Sequence, residues 1–109
     1  MKAYTDLEQS KRLAEILPPE SADMRFCYSH TLDRRITGHY PMIGREPSMG
    51  TTPCWSLAAL YSVLPTFTLD SSDDKYFRIY SCKKFSEWHN NPIDACVEII
   101  IKLKDLNLL

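Results

Sequence analysis

The stretch TPCWSLAALYSVLP, residues 52–65, decides the fold of this 109-residue chain. Its two prolines bracket an apolar run that only two serines interrupt. Thr52 can cap a helix that has Pro53 at its first position, where the missing N–H costs nothing, and Pro65 ends that helix. Apolar side chains cover nearly every face, which indicates burial, and the run is too short to span a bilayer. The sequence therefore predicts a central, Pro-bracketed helix packed on more than one side.

Length and composition are those of one ordinary globular domain over residues 1–109. The chain is 44% hydrophobic and 25% charged, with a net charge of −1. This charge balance argues against a broad nucleic-acid or membrane surface. The first residues, MKAYTD, have no secretory leader, and the four cysteines are widely spaced, so we expect a cytoplasmic protein with reduced thiols.

The N-terminal half contains one clear helix signal and one long irregular segment. Thr5 and Glu8 match a capping box, which predicts that a helix begins there. Residues 24–29 have the composition of a strand. Residues 31–52 hold all three glycines of the chain, which predicts a long loop with a short strand near residues 36–43.

The C-terminal half predicts a β-meander followed by a helix. Strand patterns cover residues 66–69, 75–82 and 85–89, and alternation places Tyr76, Arg78 and Tyr80 on one face of the second strand. Asn91 at the cap and Pro92 at the first position begin the last helix. The predicted class is α+β: a small antiparallel meander packed with three helices in an α-β-α sandwich-like arrangement.

Three blocks carry a resemblance to known proteins: residues 5–24, 53–65 and 91–103. Together they resemble small uncharacterised proteins of bacteriophages, prophages and mobile elements, including a group from gut anaerobes. In those proteins a turn with proline and a small-residue run begin the closing helix, as in NPIDAC at residues 91–96. The resemblance implies an α-β-α sandwich domain and an origin in a mobile element. It implies no activity, cofactor or catalytic residue.

Cys54 is the sharpest candidate for catalysis. In the first turn of a helix the dipole would lower its pKa, and an aromatic residue follows it, as in papain-like peptidases. His89 could act as the base, which gives the alternative of a small cysteine hydrolase. The glycine and oxyanion donors usual near such a cysteine are missing, and the opposing interpretation is that Cys54 and Trp55 are core residues. We predict that Cys54 is buried.

The metal signals are incomplete. Cys27 and His30 form one half of a zinc motif, and Cys82 with His39 or His89 would have to supply the other half. The aspartates of residues 70–74 lack the glycine and terminal glutamate of a calcium loop. We therefore predict neither a metal nor a cofactor.

Residues 25–45 are locally basic and aromatic. Arginines alternate with aromatic and histidine side chains, a mixture that suits single-stranded nucleic acid by stacking and phosphate contact. The same residue types are enriched at protein interfaces. The residues in question are Arg25, Tyr28, His30, Arg34, Arg35, His39, Tyr40 and Arg45.

The preferred hypothesis is a non-enzymatic binding or accessory protein of phage or mobile-element origin, either a monomer or a small homo-oligomer. We expect its partner to be a protein, with no membrane and no nucleic acid bound. The expected partner-binding residues are Arg34, Arg35, His39, Tyr40, Arg45, Tyr76, Arg78 and Tyr80. A weak single-stranded nucleic-acid-binding module is a further alternative, besides the hydrolase.

Overall fold

The computed structural model describes residues 2–30, 37–43 and 52–109, with side chains for residues 2–26 and 52–109. Three α-helices, one short 3-10 helix (Pro19–Ser21) and two small antiparallel sheets make up this part of the chain, which confirms the α+β class. The elements in chain order are α1 (Leu7–Ala14), β1 (Met24–His30), β2 (Thr37–Ile43), β3 (Thr52–Cys54), α2 (Leu57–Val63), β4 (Phe67–Ser72), β5 (Tyr76–Ser81), β6 (Lys84–Phe85) and α3 (Pro92–Asp105).

The two sheets differ in how their strands connect. The first sheet has the order β2-β1-β3, so its middle strand comes first in the chain. The second sheet is the predicted meander, with β4, β5 and β6 in sequence order, although its third strand is Lys84–Phe85 and not residues 85–89. Asp73 and Asp74 both have positive φ, 53° and 55°, where the chain reverses between β4 and β5. Aspartate tolerates this left-handed conformation better than most residues, which explains the acidic turn without a bound ion.

The first helix begins one residue later than predicted. Asp6, not Thr5, is its cap: the Asp6 carboxylate accepts from Gln9 N, and the Gln9 side chain accepts from Asp6 N. Thr5 is instead fully buried and donates its backbone N–H to the carbonyl of Trp55 at 2.9 Å. Its hydroxyl oxygen also accepts from Trp55 N at 3.1 Å. Thr5 therefore joins the N-terminal segment to the chain just after β3.

The central helix is shorter than the Pro-bracketed stretch. Pro53 lies in β3 opposite Arg25, and the helix begins only at Leu57. Ser56 is the actual cap, because its hydroxyl accepts from Ala59 N at 3.2 Å and contacts the carboxylate of Asp23. The prediction that Thr52 caps this helix was wrong. The competing strand pairing with β1 takes residues 52–54 out of the helix.

Among the described elements, α3 has the largest number of buried side chains. Asn91 and Pro92 begin it as predicted. The side-chain Oδ1 of Asn91 accepts a hydrogen bond from the backbone N–H of Asp94 at 2.8 Å. Its buried side chains meet α1, α2 and β5 in one apolar cluster. In contrast, α2 leaves Ala58 and Ser62 outside the buried cluster, so it is buried on fewer sides than predicted. The fully buried members of the cluster are Leu13, Trp55, Leu60, Ile79, Ile93, Ala95, Cys96, Ile99, Ile100 and Leu103.

Candidate functional site

The outer face of the meander carries the most distinctive surface in the described part of the chain. Ile79 is fully buried in the apolar cluster, so the alternate residues of β5 point away from the core. Pairing with β4 places Asp70 opposite Arg78. The prediction that Tyr76, Arg78 and Tyr80 share a face is therefore consistent with the register of β5.

Two further aromatic residues join this face from beyond β5. Phe85 of β6 is paired with Tyr80, and their ring centroids lie 4.6 Å apart. Phe77 and His89 form an isolated antiparallel bridge, with N–H to carbonyl distances of 2.6 and 2.9 Å. Continued by one residue, the register of that bridge brings Trp88 opposite Arg78. We call the set Tyr76, Arg78, Tyr80, Phe85 and Trp88 the Arg78 surface.

Arg78 lies at the centre of this surface. Its guanidinium carbon is 4.4 Å from the ring centroid of Phe85 and 4.5 Å from that of Trp88. One terminal nitrogen donates to the Asp70 carboxylate at 3.1 Å. Cation–π contacts of this kind stabilise by about 0.5–1 kcal/mol each at exposed sites. The two rings and the carboxylate together hold the guanidinium in a defined orientation.

The aromatic rings of the Arg78 surface are open to solvent to an unusual degree. Tyr76 is 51% exposed, Phe85 47% and Trp88 44%. A cleft of about 270 Å³ is lined by Ser72, Tyr76 and Trp88. This volume is smaller than the roughly 300–1,000 Å³ of a typical small-molecule pocket, so the cleft suits one side chain better than a cofactor.

Sequence reasoning found only part of this surface. Alternation along β5 predicted that Tyr76, Arg78 and Tyr80 share a face. It did not predict that Phe85 and Trp88 join that face. The available signal was the spacing from Tyr80 to Phe85, which fits a tight hairpin, and the presence of a tryptophan inside the predicted strand 85–89. Neither pattern on its own indicates that both rings meet the same arginine.

A second, larger groove of about 550 Å³ runs between α1 and α3. Lys2 fills one part of it, and its ammonium group donates to Asp6, Gln9 and Asp94 at 3.0, 3.0 and 2.8 Å. Burial alone would raise the pKa of the Asp94 carboxyl, but hydrogen bonds from Lys2, Asn91 and Gln9 outweigh it and lower that pKa. These charged groups bind each other, which indicates a structural role for this part of the groove.

His89, the candidate base of a hydrolase, lines the same groove. Its Nε2 lies 2.8 Å from one carboxylate oxygen of Glu98, and the other oxygen accepts from Glu87 N at 2.8 Å. His89 therefore connects the end of the meander to α3. The thiol of Cys54, by comparison, has hydrogen-bond partners in Thr5. The two residues proposed for cysteine catalysis thus make separate sets of contacts.

The placement of Cys54 differs from the one expected of a nucleophile. It lies in β3 and not in the first turn of a helix, so the helix dipole cannot activate it. Its side chain is fully buried, which confirms the expectation of a core position. Burial raises the pKa of the Cys54 thiol, opposing formation of the thiolate that the chemistry requires.

The basic segment lies largely beyond what the structure describes. Arg34, Arg35 and Arg45 fall outside the described residues. His39 and Tyr40 lie in β2, where their backbones pair with those of Tyr28 and Cys27. Their side chains are not among those that the structure describes. Partner binding or nucleic-acid binding by this segment therefore stays a prediction. Within the described residues, no group of three histidine, cysteine or acidic side chains is placed to hold a metal ion.

Comparison with known proteins adds no relative. No protein-family model matches the chain, and no curated protein or solved structure is significantly similar to it. Among the described residues, no helix is both long enough and apolar enough to cross a membrane.

Proposed function

We propose that the protein is a non-enzymatic binding protein that contacts another protein through the Arg78 surface. One observation carries the proposal: Arg78 is held over the rings of Phe85 and Trp88 while both rings stay nearly half exposed. Tryptophan, tyrosine and arginine are the residue types that contribute most to binding at protein interfaces. An origin in a phage or mobile element and a cytoplasmic location stay predictions.

The rigidity of the Arg78 surface supports this function. A side chain that becomes immobile only on binding costs about 0.5–1.5 kcal/mol of the affinity. Arg78 is already fixed by Asp70 and by two rings, and Tyr80 packs on Phe85. A partner that docks here therefore meets a surface with little remaining conformational freedom to lose.

The chemistry of the surface specifies what a partner should present. The cleft between Tyr76 and Trp88 fits a single apolar side chain. The side chain of Arg78 remains about one-third exposed, and its guanidinium can donate further hydrogen bonds to a carboxylate or carbonyl. A segment with an aliphatic or aromatic residue near an acidic one matches both features.

The buried state of Cys54 supports the non-enzymatic half of the proposal. A catalytic thiol needs access to substrate and a lowered pKa, whereas Cys54 has no exposed surface and a raised pKa. The hydrolase alternative thus lacks support from the geometry of its proposed nucleophile.

Selection from a displayed random-peptide library tests the proposal while the partner is still unidentified. The library is enriched on the wild-type protein alone, and the selected peptides are then tested for binding to each variant. We expect the surviving peptides to combine an apolar residue with an acidic one. Their affinity should fall at least about tenfold for Trp88→Ala and for Arg78→Ala, the change that corresponds to about 1.4 kcal/mol.

Leu108→Ala is the matched control, because Leu108 is an equally exposed apolar residue at the far end of the chain. Peptides that bind wild type, Trp88→Ala and Leu108→Ala alike would place the binding site elsewhere. A library that yields no peptide dependent on the Arg78 surface would overturn the proposal. Circular dichroism of each variant shows that a loss of binding does not reflect unfolding.

A further inference from the structure

The two edges of the meander are very different. The β6 edge is only two residues long, and the carbonyl of Phe85 accepts a hydrogen bond from the ammonium of Lys102 at 2.9 Å. The β4 edge is six residues long, and within the described residues β5 is its sole strand neighbour. An open strand edge presents unpaired N–H and C=O groups that can pair with another strand.

The composition of β4 does nothing to discourage such pairing. Proteins usually protect an open edge with lysine, proline or a bulge. The sequence FTLDSS has neither lysine nor proline, and its one charge, Asp70, is already paired with Arg78. Leu69, on the inner face of the strand, is 39% exposed at the edge. Within the described residues, the edge thus combines backbone groups that pair with no strand and an exposed apolar side chain.

We propose that two copies of the chain pair antiparallel through β4, which makes one six-stranded sheet. A twofold axis perpendicular to the sheet relates two identical antiparallel strands, so one residue must lie opposite its own copy. With Leu69 on the axis, the two leucines meet and Thr68 lies opposite Asp70 of the second copy. With Asp70 on the axis, two carboxylates would lie opposite each other, which is destabilising. The register centred on Leu69 is therefore favoured over the one centred on Asp70.

This dimer has a geometric consequence for the Arg78 surface. Because the axis is perpendicular to the sheet, both outer faces lie on the same side. Three strand spacings separate the two copies of β5, a distance of about 14 Å. The pairing itself does not depend on the proposed function, but it would present two Arg78 surfaces side by side to one partner.

The oligomeric state in solution tests the pairing. Light scattering after size-exclusion chromatography should give twice the chain mass for wild type and the single chain mass for Leu69→Lys at the same protein concentration. A lysine at this position places a charge against its own copy and protects the edge. Leu108→Lys is the matched control, the same change at another exposed leucine, and should remain a dimer. A monomeric wild type at every concentration, or a dimeric Leu69→Lys, would overturn the proposal.

Cysteine cross-linking tests the register and remains informative if Leu69→Lys fails to fold. In a Cys82→Ser background, Leu69→Cys places two thiols opposite each other, about 4.5–5.5 Å apart at Cα. This separation fits a disulfide, so mild oxidation should give a covalent dimer. Thr68→Cys places the thiols about 7–8 Å apart on the diagonal, where little cross-linking is expected. Equal cross-linking by both variants, or none by Leu69→Cys, contradicts the pairing.

Discussion

The guanidinium carbon of Arg78 lies 4.5 Å from the ring centroid of Trp88, although no strand assigned to the meander contains Trp88. The Phe77–His89 bridge produces this contact, because it extends the pairing of β5 past the end of β6. The bridge therefore both attaches the meander to α3 through His89 and completes the Arg78 surface.

A double-mutant cycle should detect this contact as a coupling free energy. We expect Arg78→Met and Trp88→Ala, measured by urea unfolding, to be non-additive by about 0.5–1 kcal/mol, the range for an exposed cation–π pair. Leu108→Ala and Trp88→Ala serve as the control pair, because no described contact joins these two residues and their effects should add. Additive effects of Arg78 and Trp88 would mean that the contact contributes nothing to stability.

Truncation of the core should show how stability is divided between α2 and α3. Leu60→Ala should cost about 2–5 kcal/mol, and Ile100→Ala should cost at least as much, because both side chains are fully buried and α3 packs on more elements. Arg12→Ala, on the exposed side of α1, should change stability by less than about 0.5 kcal/mol. The measurement is the shift of the urea midpoint at constant slope. Equal shifts for Leu60→Ala and Arg12→Ala would contradict the observed core.

Acid should weaken the contact between the N-terminal segment and α3. The folded-state pKa of Asp94 lies below 3.8 because hydrogen bonds outweigh burial. The stabilisation of the folded state by the Asp94 carboxylate is therefore complete above pH 3.8 and is lost as pH falls through the folded pKa. Burial lowers the pKa of Lys2, but Asp94 and Asp6 outweigh burial and raise that pKa above 10.5. The stabilisation that the Lys2 ammonium provides is therefore lost only at alkaline pH, as pH rises above 10.5. Asp94→Asn should therefore lose less stability than wild type between about pH 7 and pH 3.

The expected difference for Asp94→Asn is small, about 1 kcal/mol or less, because the ion pair is partly exposed. Urea midpoints at the two pH values give the measurement. Glu8→Gln, a matched change of an exposed carboxylate on α1, should follow the wild-type profile. An identical acid response of Asp94→Asn and wild type would exclude Asp94 as the group responsible.

Thiol labelling should separate the cysteines by burial. Cys54 and Cys96 are fully buried, and burial raises the pKa of Cys96 to about 12, so both should react slowly in the native protein. Cys82 is partly exposed and should react before them. Mass spectrometry of digested samples assigns each label, and urea-unfolded protein provides the fully reactive reference. Labelling of Cys54 at the rate of Cys82 would contradict its burial and would support an accessible nucleophile.

Local signals predicted some elements well and misplaced others for one physical reason. Asn91 and Pro92 begin α3 as expected, since all the groups that form this cap are adjacent in sequence. Thr5 and Thr52 have equally good local patterns, yet each is drawn into contacts with distant segments, and Asp6 and Ser56 become the caps. A capping pattern cannot reveal a competing partner many residues away.

The same limit applies to the Arg78 surface. Alternation along β5 predicts which of its residues share a face, because that depends only on the strand itself. The positions of Phe85 and Trp88 on this face depend on the pairing of β5 with β6 and on the Phe77–His89 bridge. Long-range placement of this kind follows from the fold and not from any one segment.

The contact between Thr5 and Trp55 has a consequence for the order of folding. It joins residues 50 positions apart, whereas the pair Asp70–Arg78 spans only 8. Because closing a longer loop costs more chain entropy, the meander should form in the transition state and the N-terminal segment should dock afterwards. Stopped-flow kinetics should then give a φ-value near zero for Thr5→Ala and a higher one for Ile79→Val. Loss of the Thr5 contact would mainly accelerate unfolding, so this buried threonine would set how long the native state persists.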